Sequence, residues 1–405
     1  MPEESKKLQR IIELGLAISS INDLDLLLEK ILQNARAFTN ADAGSIYVRE
    51  GDRLHFSYTQ NETFQQNLPA GQKLVYSSFS IPIDNSSIAG WVTKNGKMIN
   101  LPDVYHLPAG SPYSFDSSYD RISGYRTCSM LTFPLKTTRG DVAGVLQLIN
   151  AKDADGKVSP FQQEDEAPLI HYANSAAAAL ERAKLMRGAI LRMNKMAEMR
   201  DPKETGAHVK RVSSYALVIY EGWAQRKGVS RDEVERSRDL LRMAAMLHDV
   251  GKVAISDVIM KKPGRFTPEE FEIMKQHTVI GARLFEELFS DMDEAACVVA
   301  LNHHERWDGA GYPGNVDFRS TGAPSTAPQG KKGEEIPLFG RIVAVADVFD
   351  ALSSQRCYKE AWDEDKVLEE MKSQAGRQFD PELVEIFLEN LTTIRQIKEM
   401  YPEAD

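Results

Sequence analysis

The stretch Leu247-His248-Asp249-Val250-Gly251-Lys252 decides the fold and the chemistry of the C-terminal half of the chain. It places a histidine next to a carboxylate at the end of an apolar helix, followed directly by glycine and lysine. These two side chains cannot complete a metal coordination sphere alone. The pair therefore indicates a metal site only if further nitrogen and oxygen ligands come from other segments.

Such ligands lie on both sides of this stretch. Five of the eight histidines fall between residues 208 and 304, and Glu204 lies four residues before His208, so that both face one side of a helix. The candidate ligands are Glu204, His208, His248, Asp249, His277, His303, His304 and Asp347. A single histidine on an apolar helix is more often a satisfied core residue than a ligand. Five histidines buried with carboxylates would leave unpaired polar groups unless two or three cations bind them.

The ligand types limit the choice of metal. Histidine and carboxylate without thiolate suit Fe, Mn, Co, Ni or Zn. The three cysteines, Cys128, Cys297 and Cys357, are far apart and form no CxxC pair. Neither a cysteine zinc site nor a disulfide framework is therefore predicted.

Composition restricts the class of protein. With 405 residues, 42% hydrophobic and 27% charged, the chain has the length of two or three globular domains. No run approaches the roughly 18 apolar residues of a membrane span, and the start lacks the apolar core of a secretory signal, so we predict a cytoplasmic protein without a membrane partner. The net charge of −10 argues against DNA binding but allows a small anionic substrate held by metals and local Lys and Arg.

The first 150 residues predict an antiparallel sheet with helices. Residues 6–21 and 23–38 have the periodicity of amphipathic helices, with Asp23 as N-cap of the second. Two hairpins follow, formed by residues 44–48 with 54–58 and by residues 130–135 with 142–149. The turn-rich stretch 102–118 predicts an ordered loop between them.

This region carries short motifs in the order found in GAF domains. They are Ala89-Gly90-Trp91-Val92, Asn100-Leu101-Pro102-Asp103-Val104, Gly124-Tyr125-Arg126-Thr127 and Gly144-Val145-Leu146-Gln147-Leu148-Ile149-Asn150. Residues 20–180 therefore resemble a GAF domain, an α+β fold, and we assign residues 1–160 to a sensor or dimerisation domain of this family.

The resemblance leaves the ligand of this domain open. Members that bind cyclic nucleotides carry Asn-Lys followed by FxxxDE. Here Phe161, Asp165 and Glu166 match, whereas Ala151 stands at the lysine position and Lys152 comes one residue later. Two interpretations follow, a GAF domain with a small ligand or a module that only dimerises or positions its neighbour.

Residues 161–200 predict a long connecting helix, because Gly188 is the only strong helix breaker after Pro168. An apolar stripe recurs along it at spacings of three and four, formed by Leu169, Ala173, Ala176, Leu180, Ala183, Ile190, Met193 and Ala197. The stripe suits either a helix packed on one domain or the seam of a parallel dimer. We favour the seam, since a helix between two domains is poorly placed to bury a stripe within either, and we predict a homodimer.

The chain after Arg200 predicts an almost wholly helical domain. Thr267-Pro268-Glu269-Glu270 is a capping box with proline in the first turn, and Asp380-Pro381-Glu382 begins the last long helix similarly. The exception is the insertion 314–333, rich in Gly, Pro, Ser and Thr, which predicts a loop.

Residues 195–395 resemble an HD-GYP domain, the bacterial subgroup of HD-superfamily phosphohydrolases that hydrolyse cyclic di-GMP. The resemblance rests on Glu204 to His208, His248 to Lys252, His277 to Gly281, His303 to Pro313, and Ile336 through Asp347, Asp350, Arg356, Tyr358 and Lys359. It implies an all-α HD-superfamily domain at residues 201–405, joined to the GAF domain by the helix at 161–200. The insertion after Gly314 departs from the compact family pattern.

The resemblance also implies a ligand set. His208, His248, Asp249 and Asp347 would hold one metal, and Asp249, His277, His303 and His304 a second, with Asp249 bridging. Glu204 is associated with a third metal in some members. Fe or Mn is the expected cation.

The chemistry expected at this site is phosphodiester hydrolysis by a metal-bridging water, with Asp249 and Lys252 as catalytic residues. Lys252 would neutralise phosphate or protonate the leaving oxygen. Arg356 and Lys359 are the predicted phosphate contacts, against the alternative of an exposed basic patch. Tyr312 would stack on a base or bond a phosphate, unless its turn only ends the histidine helix. In the family, this loop is implicated in contacts with GGDEF domains.

Three functions are compared. The first is hydrolysis of cyclic di-GMP to pGpG, and further to GMP, under control of the GAF domain. The second is hydrolysis of cyclic GMP-AMP. The third is a cyclic-dinucleotide-binding scaffold without activity, which predicts missing metal ligands, and none is missing from the sequence.

Overall fold

The structure is a computed structural model that describes residues 3–66, 79–198, 206–262, 264–319, 329–354 and 362–402. It divides into two compact units, Met1–Arg187 and Gly188–Asp405. The predicted domain bounds of 1–160, 161–200 and 201–405 stay a prediction. Among the described residues, no helix is both long enough and apolar enough to cross a membrane.

The N-terminal unit contains an antiparallel sheet with helices, as predicted. Its strands are β1 (Ala41–Glu50), β2 (Arg53–Asn61), β3 (Ser80–Pro82), β4 (Ile99–Leu101), β5 (Met130–Lys136), β6 (Val142–Lys152) and β7 (Val158–Ser159). Its helices are α1 (Glu3–Ser19), α2 (Leu24–Thr39), α3 (Glu62–Gln65), α4 (Ile88–Asn95), α5 (Ser118–Ser123) and the first part of α6 (Glu166–Glu198). The strand order is β3-β2-β1-β6-β5-β4, and β7 pairs with β6.

Local sequence signals explain these elements. Asp23 caps α2 by accepting hydrogen bonds from the backbone N–H groups of Asp25 and Leu26, which confirms the predicted N-cap. Both predicted hairpins are present, as β1 with β2 and β5 with β6. Alternate residues of each strand face opposite sides of the sheet. On β1, Ile46 packs in the core under α2, whereas the next residue, Tyr47, and its β6 partner Val145 pack in a second core with α4.

The apolar stripe of α6 is buried within the chain, so the predicted dimer seam is wrong for its first half. Five of its members lie in the core that also contains residues of α1 and α2, namely Leu169, Ala173, Ala176, Leu180 and Ala183. Gly15 of α1 permits the close packing, because a Cβ there would lie 3.1 Å from Ser175 Oγ. The two N-terminal helices cover the stripe, and a covered surface is not available to a second copy. The helix also begins at Glu166, after a 3₁₀ turn at Gln163–Asp165, and not at Phe161.

Lys152 and two of the residues that match the cyclic-nucleotide motif, Asp165 and Glu166, bond to residues of their own domain. Lys152 pairs with Asp42 of β1. Asp165 accepts a hydrogen bond from Lys7 at 2.8 Å, and Glu166 accepts one from Asn100 at 2.8 Å. These side chains therefore hold α1, α6 and the sheet together.

Asp42 is the centre of a polar cluster that includes Lys152. It accepts hydrogen bonds from the Tyr125 hydroxyl at 2.7 Å and the Thr63 hydroxyl at 2.8 Å, besides its ion pair with Lys152. Burial raises the pKa of this carboxyl, but the bonds from Lys152, Tyr125 and Thr63 lower it by more, so that its pKa lies below the ordinary value. Asp42 is thus a fully partnered buried anion.

The C-terminal unit is helical where it is described, as predicted. Its helices after α6 are α7 (Gly206–Lys227), α8 (Arg231–Met246), α9 (Asp257–Met260), α10 (Pro268–Arg283), α11 (Asp291–Asn302), α12 (Leu338–Ser353), α13 (Glu364–Ser373), α14 (Pro381–Glu389) and α15 (Leu391–Met400). Helices α7, α8, α11 and α12 pack in a closed ring, and α10 packs on α11 and on the 3₁₀ helix Val250–Ala254.

The predicted helix starts in this unit are confirmed. Thr267 and Glu270 form the capping box of α10, with Pro268 in its first turn. Asp380 caps α14 by accepting from the Glu382 N–H. However, α14 ends at Glu389 and α15 begins at Leu391, so the predicted long last helix is two short helices. Of the insertion, residues 314–319 and 329–332 contain no helix or strand, in agreement with the predicted loop.

Candidate metal centre

The predicted ligands come from five elements of the helical ring and its neighbours. His208 lies on α7, His277 on α10 and Asp347 on α12. The pair His248 and Asp249 follows α8, and His303 and His304 follow α11. Glu204 lies outside the described residues.

These side chains converge into two groups. One group contains Asp249, His277, His303 and His304, and the other contains His208, His248 and Asp347. Within each group, one ligand atom per residue lies within 4.8 Å of every other. The structure thus brings together the seven predicted ligands that it describes, and their role as metal ligands stays a prediction.

The carboxylate of Asp249 faces both groups. Its Oδ1 lies 3.2 Å from His277 Nε2 and 3.6 Å from His303 Nε2, while its Oδ2 lies 3.2 Å from His248 Nε2. Metal–ligand bonds of about 2.0–2.2 Å put neighbouring ligand atoms roughly 3 to 3.6 Å apart. The buried Oδ1 accepts no well-formed hydrogen bond from the described residues. The donor set therefore fits two cations that share Asp249.

Backbone carbonyls fix the orientation of three of these imidazoles. Nδ1 of His248 lies 2.8 Å from Ala245 O, Nδ1 of His277 lies 2.6 Å from Met274 O, and Nδ1 of His303 lies 3.0 Å from Ala300 O. A carbonyl can only accept, so Nδ1 carries the proton and the Nε2 lone pair points to the centre.

A buried Asp350–Arg211 pair orients His208. Its Nδ1 lies 2.8 Å from Asp350 Oδ2, and Arg211 donates to both oxygens of Asp350, from Nε at 2.6 Å and from Nη2 at 2.8 Å. Burial raises the pKa of Asp350, but the bonds from Arg211 and His208 outweigh it and bring the pKa to about 2. The sequence predicted no role for these two residues, although each lies three positions after a predicted ligand.

The ionisation states suit metal ligation. Burial lowers the pKa of His303 and lowers that of His304 to well below its ordinary value, so both imidazoles are neutral. Burial raises the pKa of Asp249, but Lys252 and His248 lower it by more. The pKa therefore lies well below its ordinary value, and the carboxyl is ionised. Neutral imidazole and ionised carboxylate are the forms that bind cations.

Comparison with protein-family models matches residues 192–383 to the HD domain and residues 23–180 to the GAF domain. The chain combines a GAF domain with an HD domain. The predicted multidomain fold, α+β followed by all-α, is confirmed.

Similar proteins of known name include three bacterial phosphodiesterases. The 3′3′-cGAMP-specific phosphodiesterase 2 of Vibrio cholerae is 38% identical over 201 residues, covering 50% of this chain and 34% of that protein. The cyclic di-GMP phosphodiesterase response regulator RpfG of Xanthomonas campestris is 40% identical over 211 residues, covering 52% and 50%. A cyclic di-GMP phosphodiesterase of Thermotoga maritima is 42% identical over 196 residues, covering 48% and 47%. The chain thus spans a third to a half of the length of these relatives.

In the HD domain, Lys252 lies directly beside the shared carboxylate. Its Nζ is 2.5 Å from Asp249 Oδ2. The 3₁₀ helix that carries Lys252 rests on α10 at Gly251, where a Cβ would lie only 2.0 Å from His277 O. Glycine at this position is therefore required to bring Asp249 and His277 together.

Tyr312 lies at the edge of the ligand group that contains His277 and His304. Its ring centroid is 4.9 Å from that of His304 and 6.4 Å from that of His277. Burial raises the pKa of Tyr312, so its hydroxyl stays protonated and able to donate. The other predicted substrate contacts, Arg356 and Lys359, lie outside the described residues.

Glu305 is a buried residue of the HD domain to which the sequence analysis gave no role. It accepts hydrogen bonds from the Gly314 N–H at 2.6 Å and from the Lys331 N–H at 3.1 Å. One carboxylate, adjacent in sequence to His304, therefore fixes both ends of the insertion. The signal was its position between the histidine pair and the Gly-rich turn.

Proposed function

We propose that this protein is a metal-dependent phosphodiesterase that hydrolyses cyclic di-GMP to pGpG, with GMP as the product of a second cleavage. This proposal rests on the Asp249 carboxylate. Its Oδ2 faces the group that contains His248, and its Oδ1 faces the group that contains His277. A carboxylate shared in this way would bring two cations close enough to act on one phosphodiester.

The proposed cofactor is two or three divalent transition metals, Fe or Mn by preference, and Glu204 is the predicted ligand of the third. Bound metals of this kind supply a hydroxide near neutral pH and neutralise the phosphoryl oxygens. The residues that would hold them are His208, His248 and Asp347 in one group, His277, His303 and His304 in the other, and Asp249, which faces both groups.

The remaining roles follow from position. The Lys252 ammonium, beside Asp249, would stabilise the phosphate or protonate the leaving oxygen. Tyr312, beside His304, would contact the substrate. Arg356 and Lys359 complete the proposal as phosphate contacts predicted from the sequence.

Cyclic GMP-AMP is the second candidate substrate, because one of the similar proteins is named for it. Two others are named for cyclic di-GMP, which supports the first candidate. A scaffold without activity is disfavoured, since every predicted ligand that the structure describes lies in one of the two groups.

The test uses the full chain, purified with its metals. Metal content and hydrolysis of cyclic di-GMP and 3′3′-cGAMP are measured for the natural protein, for His248→Ala and for the exposed control His106→Ala. We expect cleavage by the natural protein and by the control, and loss of both metal and activity in His248→Ala. Absence of cleavage with Mn and with Fe would overturn the enzyme assignment.

Regulation by the GAF domain and assembly as a homodimer are also proposed. An exposed apolar row on α1, formed by Leu8, Ile12 and Leu16 at 41%, 51% and 66% exposure, supports pairing with a second copy. Ile12→Glu with Leu16→Glu is expected to convert a dimer to a monomer in light-scattering measurements.

A small GAF ligand, a GGDEF-domain partner at the Gly311–Pro313 loop and a cytoplasmic location remain predictions from the sequence.

A further inference from the structure

An aromatic and cationic cluster lies beside the metal centre and has no part in holding it. It consists of Phe271 and Lys275, one turn apart on α10, and Tyr312 of the loop after α11. The rings of Phe271 and Tyr312 meet edge to face with centroids 6.0 Å apart. The ammonium of Lys275 lies 4.9 Å from the Phe271 centroid and 5.5 Å from the Tyr312 centroid.

The cluster has an inner and an outer end. Tyr312, at the inner end, is tilted against the ring of the predicted ligand His304, with centroids 4.9 Å apart. Phe271, at the outer end, is 43% exposed, which leaves much of its apolar surface in water. The cluster therefore leads from the metal ligands to an open aromatic surface, a position suited to a planar group attached to a metal-bound phosphate.

The ammonium selects among planar groups. Lys275 also pairs with Glu272 at 2.6 Å, but the Glu272 side chain is 68% exposed, and such a solvated pair is readily exchanged for a ligand. Guanine presents two adjacent acceptors, O6 and N7, on one edge, and lysine is a recognised donor to them. Adenine presents an amino donor next to N7, which an ammonium cannot accept.

We propose that Phe271, Lys275 and Tyr312 form a guanine subsite, in which Phe271 stacks on the base and Lys275 donates to O6 and N7. This inference rests on the proposed function and adds base specificity to it. Stacking of bases on aromatic side chains is a general mode of nucleic-acid recognition. With the base held here, the same one of the two phosphates on its ribose would always reach the cations that the two ligand groups would hold.

A single guanine subsite determines which bond is cut. A cyclic dinucleotide can bind with either of its two bases in the subsite. Cyclic di-GMP places a guanine there in both binding orientations, 3′3′-cGAMP in only one, and cyclic di-AMP in neither. The protein should therefore cleave cyclic di-GMP and 3′3′-cGAMP in preference to cyclic di-AMP. It should also open one of the two linkages of 3′3′-cGAMP in preference to the other, giving mainly one linear dinucleotide.

The experiment compares the metal-loaded full chain with Lys275→Met, Phe271→Leu and the matched control Lys261→Met. Lys261 is an exposed lysine paired with Asp257 at 3.1 Å, as Lys275 is paired with Glu272. We measure kcat/KM for the three cyclic dinucleotides and the ratio of linear products from 3′3′-cGAMP. Lys275→Met should lower kcat/KM for cyclic di-GMP about tenfold or more, the discrimination of one good base contact. Lys275→Met should leave kcat/KM for cyclic di-AMP and the metal content unchanged, and it should make the amounts of the two linear products from 3′3′-cGAMP equal. Phe271→Leu should lower kcat/KM for all three substrates. Lys261→Met should change none of these quantities.

Two results would overturn the subsite. One is an equal loss for cyclic di-GMP and cyclic di-AMP in Lys275→Met, which would assign the lysine to the phosphate. The other is equal cleavage of both substrates by the natural protein. If the natural protein cleaves none of the three, the proposed function fails, and equilibrium binding of the same nucleotides to the full chain decides the subsite. Binding that prefers guanine and depends on Lys275 supports it, and binding without that preference, or no binding, rejects it.

Discussion

Two buried aspartates, one in each domain, each pair with a lysine but differ in their other partners. Asp42 of the GAF domain accepts hydrogen bonds from Lys152, Tyr125 and Thr63, which satisfy its charge within the fold. Asp249 of the HD domain also has a lysine partner, because Lys252 lies beside its Oδ2, but its Oδ1 faces the imidazoles of His277 and His303 and accepts no well-formed hydrogen bond from the described residues. A buried anion with a donor at each oxygen stabilises a structure, whereas a buried carboxylate oxygen that faces imidazole lone pairs favours a bound cation. The contrast separates a structural cluster from a functional one.

The largest effect is expected at Asp249. In Asp249→Asn, both cations lose a shared ligand, and we expect activity to fall by about 10³-fold or more, because a metal contributes several kcal/mol to such a reaction. Metal content by mass spectrometry should fall in parallel. Asp257→Asn, an exposed aspartate on α9, serves as the control and should retain both. Full activity in Asp249→Asn would remove the distinction between the two aspartates.

Metal removal should affect one domain only. A cation present at a hundredfold excess over its Kd stabilises its site by about 2.7 kcal/mol. Chelation should therefore speed amide hydrogen exchange in α7, α8, α10, α11 and α12, and leave β1 and β6 unchanged. Equal acceleration in both domains would show that the ligand groups do not bind the metal locally.

The converse change is expected at Asp42. Asp42→Ala removes hydrogen bonds to a charged acceptor and should destabilise the GAF domain by about 2 kcal/mol, measured by urea unfolding. Metal content should stay unchanged, because Asp42 contacts no predicted ligand. A loss of metal in this variant would contradict a purely structural role.

A smaller effect is expected at Asp350. Asp350→Asn keeps the size of the side chain but weakens the acceptor of His208 Nδ1–H. Loss of such a supporting contact typically lowers metal affinity by about 10- to 100-fold. Metal titration of the apo protein would measure it, with Asp365→Asn as control. An unchanged affinity would mean that α7 alone orients His208.

Local patterns in the sequence predicted many of the helices and strands and which candidate ligands lie together, whereas partners far apart in the sequence could not be predicted. His277 and His303 were identifiable because ligand residue types recur in short motifs. The pairing of Lys152 with Asp42, 110 residues away, has no local signal. Neither has the bond between Asp350 and His208, 142 residues apart. The stripe of α6 was misassigned for the same reason, since periodicity reveals an apolar face but not the helices that cover it.

The bonds of Glu305 have a consequence for protein engineering. Because one carboxylate holds Gly314 and Lys331, the segment between them is closed at its base independently of its length. The entropic free-energy cost of closing a loop rises slowly with its length, by about 0.6 kcal/mol for each doubling. A reporter peptide or a second small domain inserted after residue 319 should therefore leave His304 and the adjoining ligands in place.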